Sequence, residues 1–112
     1  MFRMYRLDAS DYKAVFNSRR PLHGRTISIW VRCTIDAGRR AGVVVSKKNF
    51  RRAVDRNRAK RLMREAFRLN RNKLVEDADL IISARRAMAG KNRDDVINDF
   101  EQLCRRAGIW RN

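Results

Sequence analysis

The chain has 112 residues, with 28 Lys and Arg against 12 Asp and Glu and a formal net charge of +16. That length supports one domain with a small core and excludes two. No stretch approaches the roughly 18 to 20 apolar residues of a membrane span, and the charged start MFRMYRLDASDYK lacks a signal-peptide core, so a soluble, unprocessed, cytoplasmic protein is expected. Cys33 and Cys104 are too few for the disulfide framework of a secreted domain, and with His23 as the sole histidine no four-ligand zinc site can be assembled.

Along the chain, Ser10 is suited to N-cap a short helix over residues 11–18, where Tyr12, Val15 and Phe16 fall at i, i+3, i+4 on one face. Pro21 and Gly24 mark the connection that follows, with room for a short strand over residues 21–24. From 26 to 33 the row Ile27, Ile29, Val31, Cys33 alternates with Thr26, Ser28, Trp30, Arg32, the period of a half-buried strand, which turns Trp30 away from the aliphatic row. Asp36, Gly38, Arg39 and Arg40 read as a turn into AGVVVS (41–46), whose β-branched run suggests a more central strand and hence a hairpin with the preceding one. The period then changes to 3.6 from about 53 to 71, the longest helix. DLIISA (79–84) is a further strand, and the long intervening helix makes a β-α-β crossover the natural connection. A last helix over about 93–107 carries Val96, Ile97, Phe100, Leu103 and Cys104 on one face and stops at Gly108. The expected fold is α+β, a single-domain α/β sandwich in the order α-β-β-(β)-α-β-α, with residues 1–112 forming one domain.

Residues 51–73 hold ten basic and two acidic residues, half of the net charge in 23 positions. At about 100° per residue, Ala59, Leu62, Met63, Ala66 and Phe67 share one face of that helix, and Asn57, Lys60, Arg61, Arg64, Arg68 and Arg71 share the opposite arc. Like charges three or four apart, such as 60/64, 61/64, 64/68 and 68/71, each destabilise an isolated helix by about 0.2 to 0.5 kcal/mol. A merely solvated face would mix both signs. This one is single-signed and rich in arginine, whose planar fork matches phosphate oxygens, so a polyanion is the expected partner. A membrane surface is disfavoured, because the apolar face is needed for a core and carries few bulky aromatics.

Catalytic chemistry in the protein itself has little support. A nuclease needs an acid/base pair or clustered carboxylates for metals. His23 beside Pro21 reads as a surface histidine, and Asp8, Asp11, Glu76, Asp77 and Asp79 as ordinary loop and helix-end acids. Three readings remain: a subunit of a defined ribonucleoprotein, a general RNA chaperone or ribosomal protein, and a DNA reader. The last is weakest, since strands stand where a helix-turn-helix partner would precede residue 53.

The pattern Val54-x-Arg56-Asn57-x-x-Lys60-Arg61-x-x-Arg64-Glu65-x-Phe67-Arg68, preceded by Val45-Ser46-Lys47-Lys48, resembles the protein subunit of bacterial ribonuclease P, with Arg56-Asn57-Arg58 as the RNR motif of that family. The likeness extends to Arg6-Leu7, Asp11-Tyr12-x-x-Val15-Phe16 and Gly42-x-x-Val45-Ser46, and more weakly to 79–84 and the last helix. It implies a left-handed crossover through the RNR helix, against the right-handed rule for such connections. It also implies a protein without catalytic residues of its own, which joins one catalytic RNA and assists removal of the 5′ leader from precursor tRNA. The RNA requires Mg2+; no cofactor, metal or small-molecule substrate is expected on the protein. RNA binding falls by resemblance to Arg56, Asn57, Arg58, Lys60, Arg61, Arg64, Arg68 and Arg71. A leader cleft falls to Tyr12, Phe16, Trp30, Ser46, Lys47 and Lys48. On periodicity alone, Phe16 is a core residue and Tyr12 a half-exposed one; the resemblance moves both to the cleft. The chain departs from the family at Tyr12, where Phe is usual, at Asn49-Phe50-Arg51-Arg52, where a Gly-rich turn is usual, and at Arg85-Arg86, where a proline is common.

Overall fold

A computed structural model describes residues 7, 9–18, 20–33 and 38–111. In chain order the elements are α1 (Ala9–Ser18), β1 (Leu22–His23), β2 (Ile27–Cys33), β3 (Arg40–Val44), α2 (Ala53–Asn70), β4 (Ala78–Ala84) and α3 (Arg93–Arg106), with single 3-10 turns at Arg71–Lys73 and Arg86–Met88. They form a mixed α+β domain around a four-stranded sheet of order β1-β2-β4-β3. The expected short strand beside Pro21 is β1, antiparallel to β2. β3 and β4 are parallel neighbours joined through α2, so the β-α-β crossover is present.

Two expectations about the sheet are corrected. β2 and β3 do not form a hairpin, because β4 lies between them, antiparallel to β2 and parallel to β3. The inner strands are therefore β2 and β4, not the β-branched 41–46 run, which forms a sheet edge. The reason is burial. Leu80, Ile81 and Ile82 are all fully buried, with helices on both faces of the sheet, whereas β3 is half-buried along most of its length. The supposed turn residue Asp36 lies outside the described residues.

Alternation sorts the core onto the two faces. Ile27, Ile29 and Val31 of β2 join Leu80 and Ile82 of β4 beneath α2 and α3, where Met63, Phe67, Phe100 and Leu103 meet them. On the other face Ile81 packs with Val15 and Leu7, flanked by Tyr12, Trp30 and Val44. α1 begins at Ala9, so Ser10 lies within its first turn rather than capping it, and Leu7, just before the helix, joins Val15 in that second cluster. α2 buries Ala59, Leu62, Met63, Ala66 and Phe67, the face read from the 3.6 period, and ends one residue short of Arg71. α3 opens with a reciprocal capping box between Asn92 and Asp95. It closes in a Schellman arrangement: the Ile109 N–H bonds to the Cys104 carbonyl and the Gly108 N–H to that of Arg105, with Gly108 at φ 75°. Its Asp99 accepts hydrogen bonds from the backbone N–H groups of Arg25, Thr26 and Ile27 and from the Thr26 hydroxyl, pinning the start of β2.

Candidate nucleic-acid interface

α2 presents its cations because the sheet claims its other side. Asn57, Arg61 and Arg68 are exposed and Lys60, Arg64 and Arg71 half-exposed. Lys60, Arg61 and Arg64 have no carboxylate within ion-pair distance among the described residues. Arg68 is different: its Nη2 lies 2.6 Å from Glu65 Oε1, and the guanidinium holds that carboxyl below its ordinary range. Arg71 caps the end of the arc, its Nε donating to the Arg39 carbonyl at 3.1 Å.

The RNR stretch divides in two. Arg56 Nη1 donates to the carbonyls of Phe50 and Arg51 at 2.9 and 2.8 Å, stapling the incoming loop onto a helix whose Arg52 N-cap supplies no side-chain bond. Arg58 Nη2 donates to the Lys91 carbonyl at 2.6 Å, fastening α2 to the loop before α3. Asn57, between them, is exposed. Each guanidinium carries five N–H donors, so these bonds orient Arg56 and Arg58 while leaving donors free. Phe50, standing where a Gly-rich turn was expected, is buried under the loop. That loop is held by Ser46, whose Oγ accepts from the Lys48 N–H at 3.0 Å and whose carbonyl accepts from the Phe50 N–H at 3.0 Å. Lys47 and Lys48 are thereby exposed on a defined turn at the end of β3.

The opposite face of the sheet brings the aromatic residues together. Register aligns Trp30, Ile81 and Gly42 in one row across β2, β4 and β3. α1 crosses this row. Tyr12 lies over Gly42, where a Cβ would collide with its ring, and Phe16 meets Trp30 edge-on at 4.9 Å and 80°. Tyr12 and Phe16 are 6.4 Å apart. Phe16 is 38% exposed, so the periodicity reading that placed it in the core is corrected: its ring packs T-shaped with that of Trp30 and remains partly open to solvent. The next row, Ser28, Ser83 and Val44, carries small side chains, and Ser46 follows two residues beyond Val44. The arrangement is an aromatic wall above a floor of small residues, with basic residues at the strand end. Aromatic faces beside cations suit unpaired nucleotides, whose bases stack while their phosphates are neutralised.

The family model for Ribonuclease P matches residues 1–108. This chain belongs to the bacterial ribonuclease P protein family. Among curated family members it is similar to the ribonuclease P protein component of Chromohalobacter salexigens, at 40% identity over 94% of this chain and 77% of the relative. It is also similar to that of Clostridium kluyveri, at 32% over 96% and 98%. The fold matches the solved RNase P proteins of Staphylococcus aureus, with a TM-score of 0.82 over 95% of this chain and 97% of that one, and of Thermotoga maritima, with 0.78 over 90% and 96%, each at 24% identity. Family membership places the protein in a ribonuclease ribonucleoprotein and is consistent with a role in tRNA 5′ processing.

Sequence reasoning missed Arg40, which it assigned to a turn. The side chain forms a fork on Asp79, with Nε 2.9 Å from Oδ1 and Nη2 2.8 Å from Oδ2, and its Nη1 reaches Asp11 of α1 at 3.0 Å. The available signal was the aspartate heading an otherwise apolar strand. A carboxylate there has to be paired, because burying it alone is costly.

Proposed function

We propose that the protein is the RNA-binding, non-catalytic subunit of ribonuclease P, one copy per RNA, that α2 docks on the catalytic RNA, and that the Tyr12, Phe16 and Trp30 wall holds the 5′ leader of precursor tRNA. The observation carrying this reading is that two chemically distinct surfaces lie on opposite faces of one sheet: a cationic helix whose Lys60, Arg61 and Arg64 have no carboxylate partner among the described residues, and an aromatic wall of Tyr12, Phe16 and Trp30. Asn57, Lys60, Arg61, Arg64 and Arg68 would engage phosphates, with Arg71 and the remaining donors of Arg56 and Arg58 at the ends of the arc. Ser46, Lys47 and Lys48 would rim the cleft. Among the described residues no group of three or more His, Cys, Asp or Glu is placed to hold a metal ion; the Mg2+ of the reaction would be held by RNA, and hydrolysis would occur there. A mature tRNA has no leader, so a subunit that touches only the leader lets the holoenzyme prefer precursor over product.

The test is reconstitution with a ribonuclease P RNA. The protein should restore cleavage of precursor tRNA at low Mg2+ and near-physiological salt, where phosphate repulsion is strongest, and be inactive alone. Neutralising about six phosphates gives a slope of log K against log[salt] of roughly −4 to −5, and Arg64→Glu should flatten it. Phe16→Ala should weaken affinity for leaders of several nucleotides by about 1 to 3 kcal/mol per lost stack while sparing mature tRNA. Cleavage by RNA-free protein, or long-leader affinity unmoved by Phe16→Ala in folded protein, would overturn the reading.

A further inference from the structure

One ionic cluster lies outside both surfaces and ties α1 to the sheet. Arg40 and Asp79 are register partners on β3 and β4, and the Asp79 side chain is 1% exposed. Such a carboxylate needs the bidentate fork of Arg40, since leaving it unpaired in a dry site is strongly unfavourable. The fork fixes the guanidinium plane. Only then does Nη1 project to Asp11 in the first turn of α1, at 3.0 Å, while Nη2 adds a longer contact to the other Asp11 oxygen at 3.4 Å. The hydrogen bond to Asp79, reinforced by both negative charges, raises the Arg40 pKa further.

Two residues along the same face of β3, Gly42 receives the ring of Tyr12, the neighbour of Asp11. Positions 40 and 42 of one strand therefore hold positions 11 and 12 of one helix. Phe16, one turn farther along α1, contributes an edge contact to Trp30 and is the most exposed of the three aromatic residues. The helix is clamped at its first turn and presents its aromatic ring from its second.

From this geometry we infer that Arg40 is a positioning residue for the leader: through Asp11 it sets where α1 lies on the sheet, and so the separation of Phe16 from the cleft floor. The inference rests on the leader-cleft reading above. Asp79 anchors the cation, Asp11 transmits its position, and Gly42 leaves room for the ring to settle.

The decisive variant is Asp11→Asn, which weakens the tether to α1 while Arg40 still satisfies the buried Asp79. Arg40→Lys is the companion: it retains the charge, loses the fork and leaves α1 unaltered. In the reconstituted holoenzyme both should lower affinity for precursors with leaders of several nucleotides by about three- to ten-fold. Affinity for the ribonuclease P RNA and for mature tRNA should be unchanged, and acrylamide should quench Trp30 more readily, read in a Trp110→Phe background. Phe16→Ala in the same series separates the two ideas. If it weakens long-leader binding and Asp11→Asn does not, the clamp fails and the cleft stands; if neither acts, the cleft fails and the clamp with it. Equal losses toward leader and RNA, with a lowered melting temperature, would mean that the cluster is only structural and would also overturn the inference.

Discussion

Val15 and Phe16 are consecutive in α1 and have opposite surroundings, the first fully buried against Ile81 and Leu7, the second more than one-third exposed beside Trp30. An i, i+3, i+4 pattern identifies the face of a helix but not its width, and here the sheet covers only its centre. The two cysteines show a similar contrast, which alkylation can read. Cys104 is fully buried on α3, and desolvation, with Glu101 nearby, pushes its thiol far above the ordinary range; Cys33 at the end of β2 is exposed. Iodoacetamide at neutral pH is expected to modify Cys33 promptly and Cys104 only after denaturation. The sign of the linkage follows. Unfolded chain releases this proton near pH 8.5 and folded protein does not, so native stability falls as pH rises above that value, by up to about 2 kcal/mol by pH 10. Urea unfolding at pH 7 and pH 10 should show a smaller alkaline loss for Cys104→Ala; parallel losses would contradict the assignment.

At the scale of the element, α2 is the case in which composition and packing agree. The apolar stripe read from the 3.6 period is the buried stripe, and the cations lie outside it. Among the described residues, Glu65 neutralises Arg68 with good geometry, an exposed i, i+3 pair. Such pairs contribute about 0.2 to 1 kcal/mol. A phosphate that approaches Arg68 meets the repelling Glu65 carboxylate beside it, so Glu65→Gln is expected to tighten RNA binding by about two- to five-fold with little change in melting temperature. A filter-binding titration at fixed salt decides it, and weaker binding would show that the carboxylate pre-orients the guanidinium instead. α1 is less legible. The helix already includes Ala9, so Ser10 lies inside its first turn instead of capping it: Ser10 has the chemistry of a cap, but Leu7 and Val15 pack on the sheet beneath and local chemistry alone does not set the start.

At the scale of the molecule, 28 basic against 12 acidic side chains in one small domain make self-repulsion a global term. Anions that bind the native arc should therefore stabilise the fold beyond simple screening. Sulfate is expected to raise the melting temperature by more than sodium chloride at matched ionic strength. Equal shifts would assign the effect to screening alone. The two proposed surfaces share this sheet: the turn at Ser46, Lys47 and Lys48 leads from the end of β3 directly into the Arg56 staple and α2 on the opposite face. A single short connection thus couples the proposed leader rim to the proposed RNA anchor.

By itself the sequence determined what depends on neighbours a few residues away: the helical periods, the alternation that turns Trp30 from the aliphatic row, the stop at Gly108, and the cationic arc of α2. Side chains on one helix turn or one pleated strand share a face whatever lies beyond them. Tertiary structure alone decided the strand order, in which β4 separates β2 from β3, the edge position of the β-branched strand, and the meeting of Asp11, Arg40 and Asp79. Those partners are 29 and 39 residues apart in the chain. No local pattern encodes such pairings; they follow from which strand can bury both of its faces, and that is settled only when both layers of helices close over the sheet.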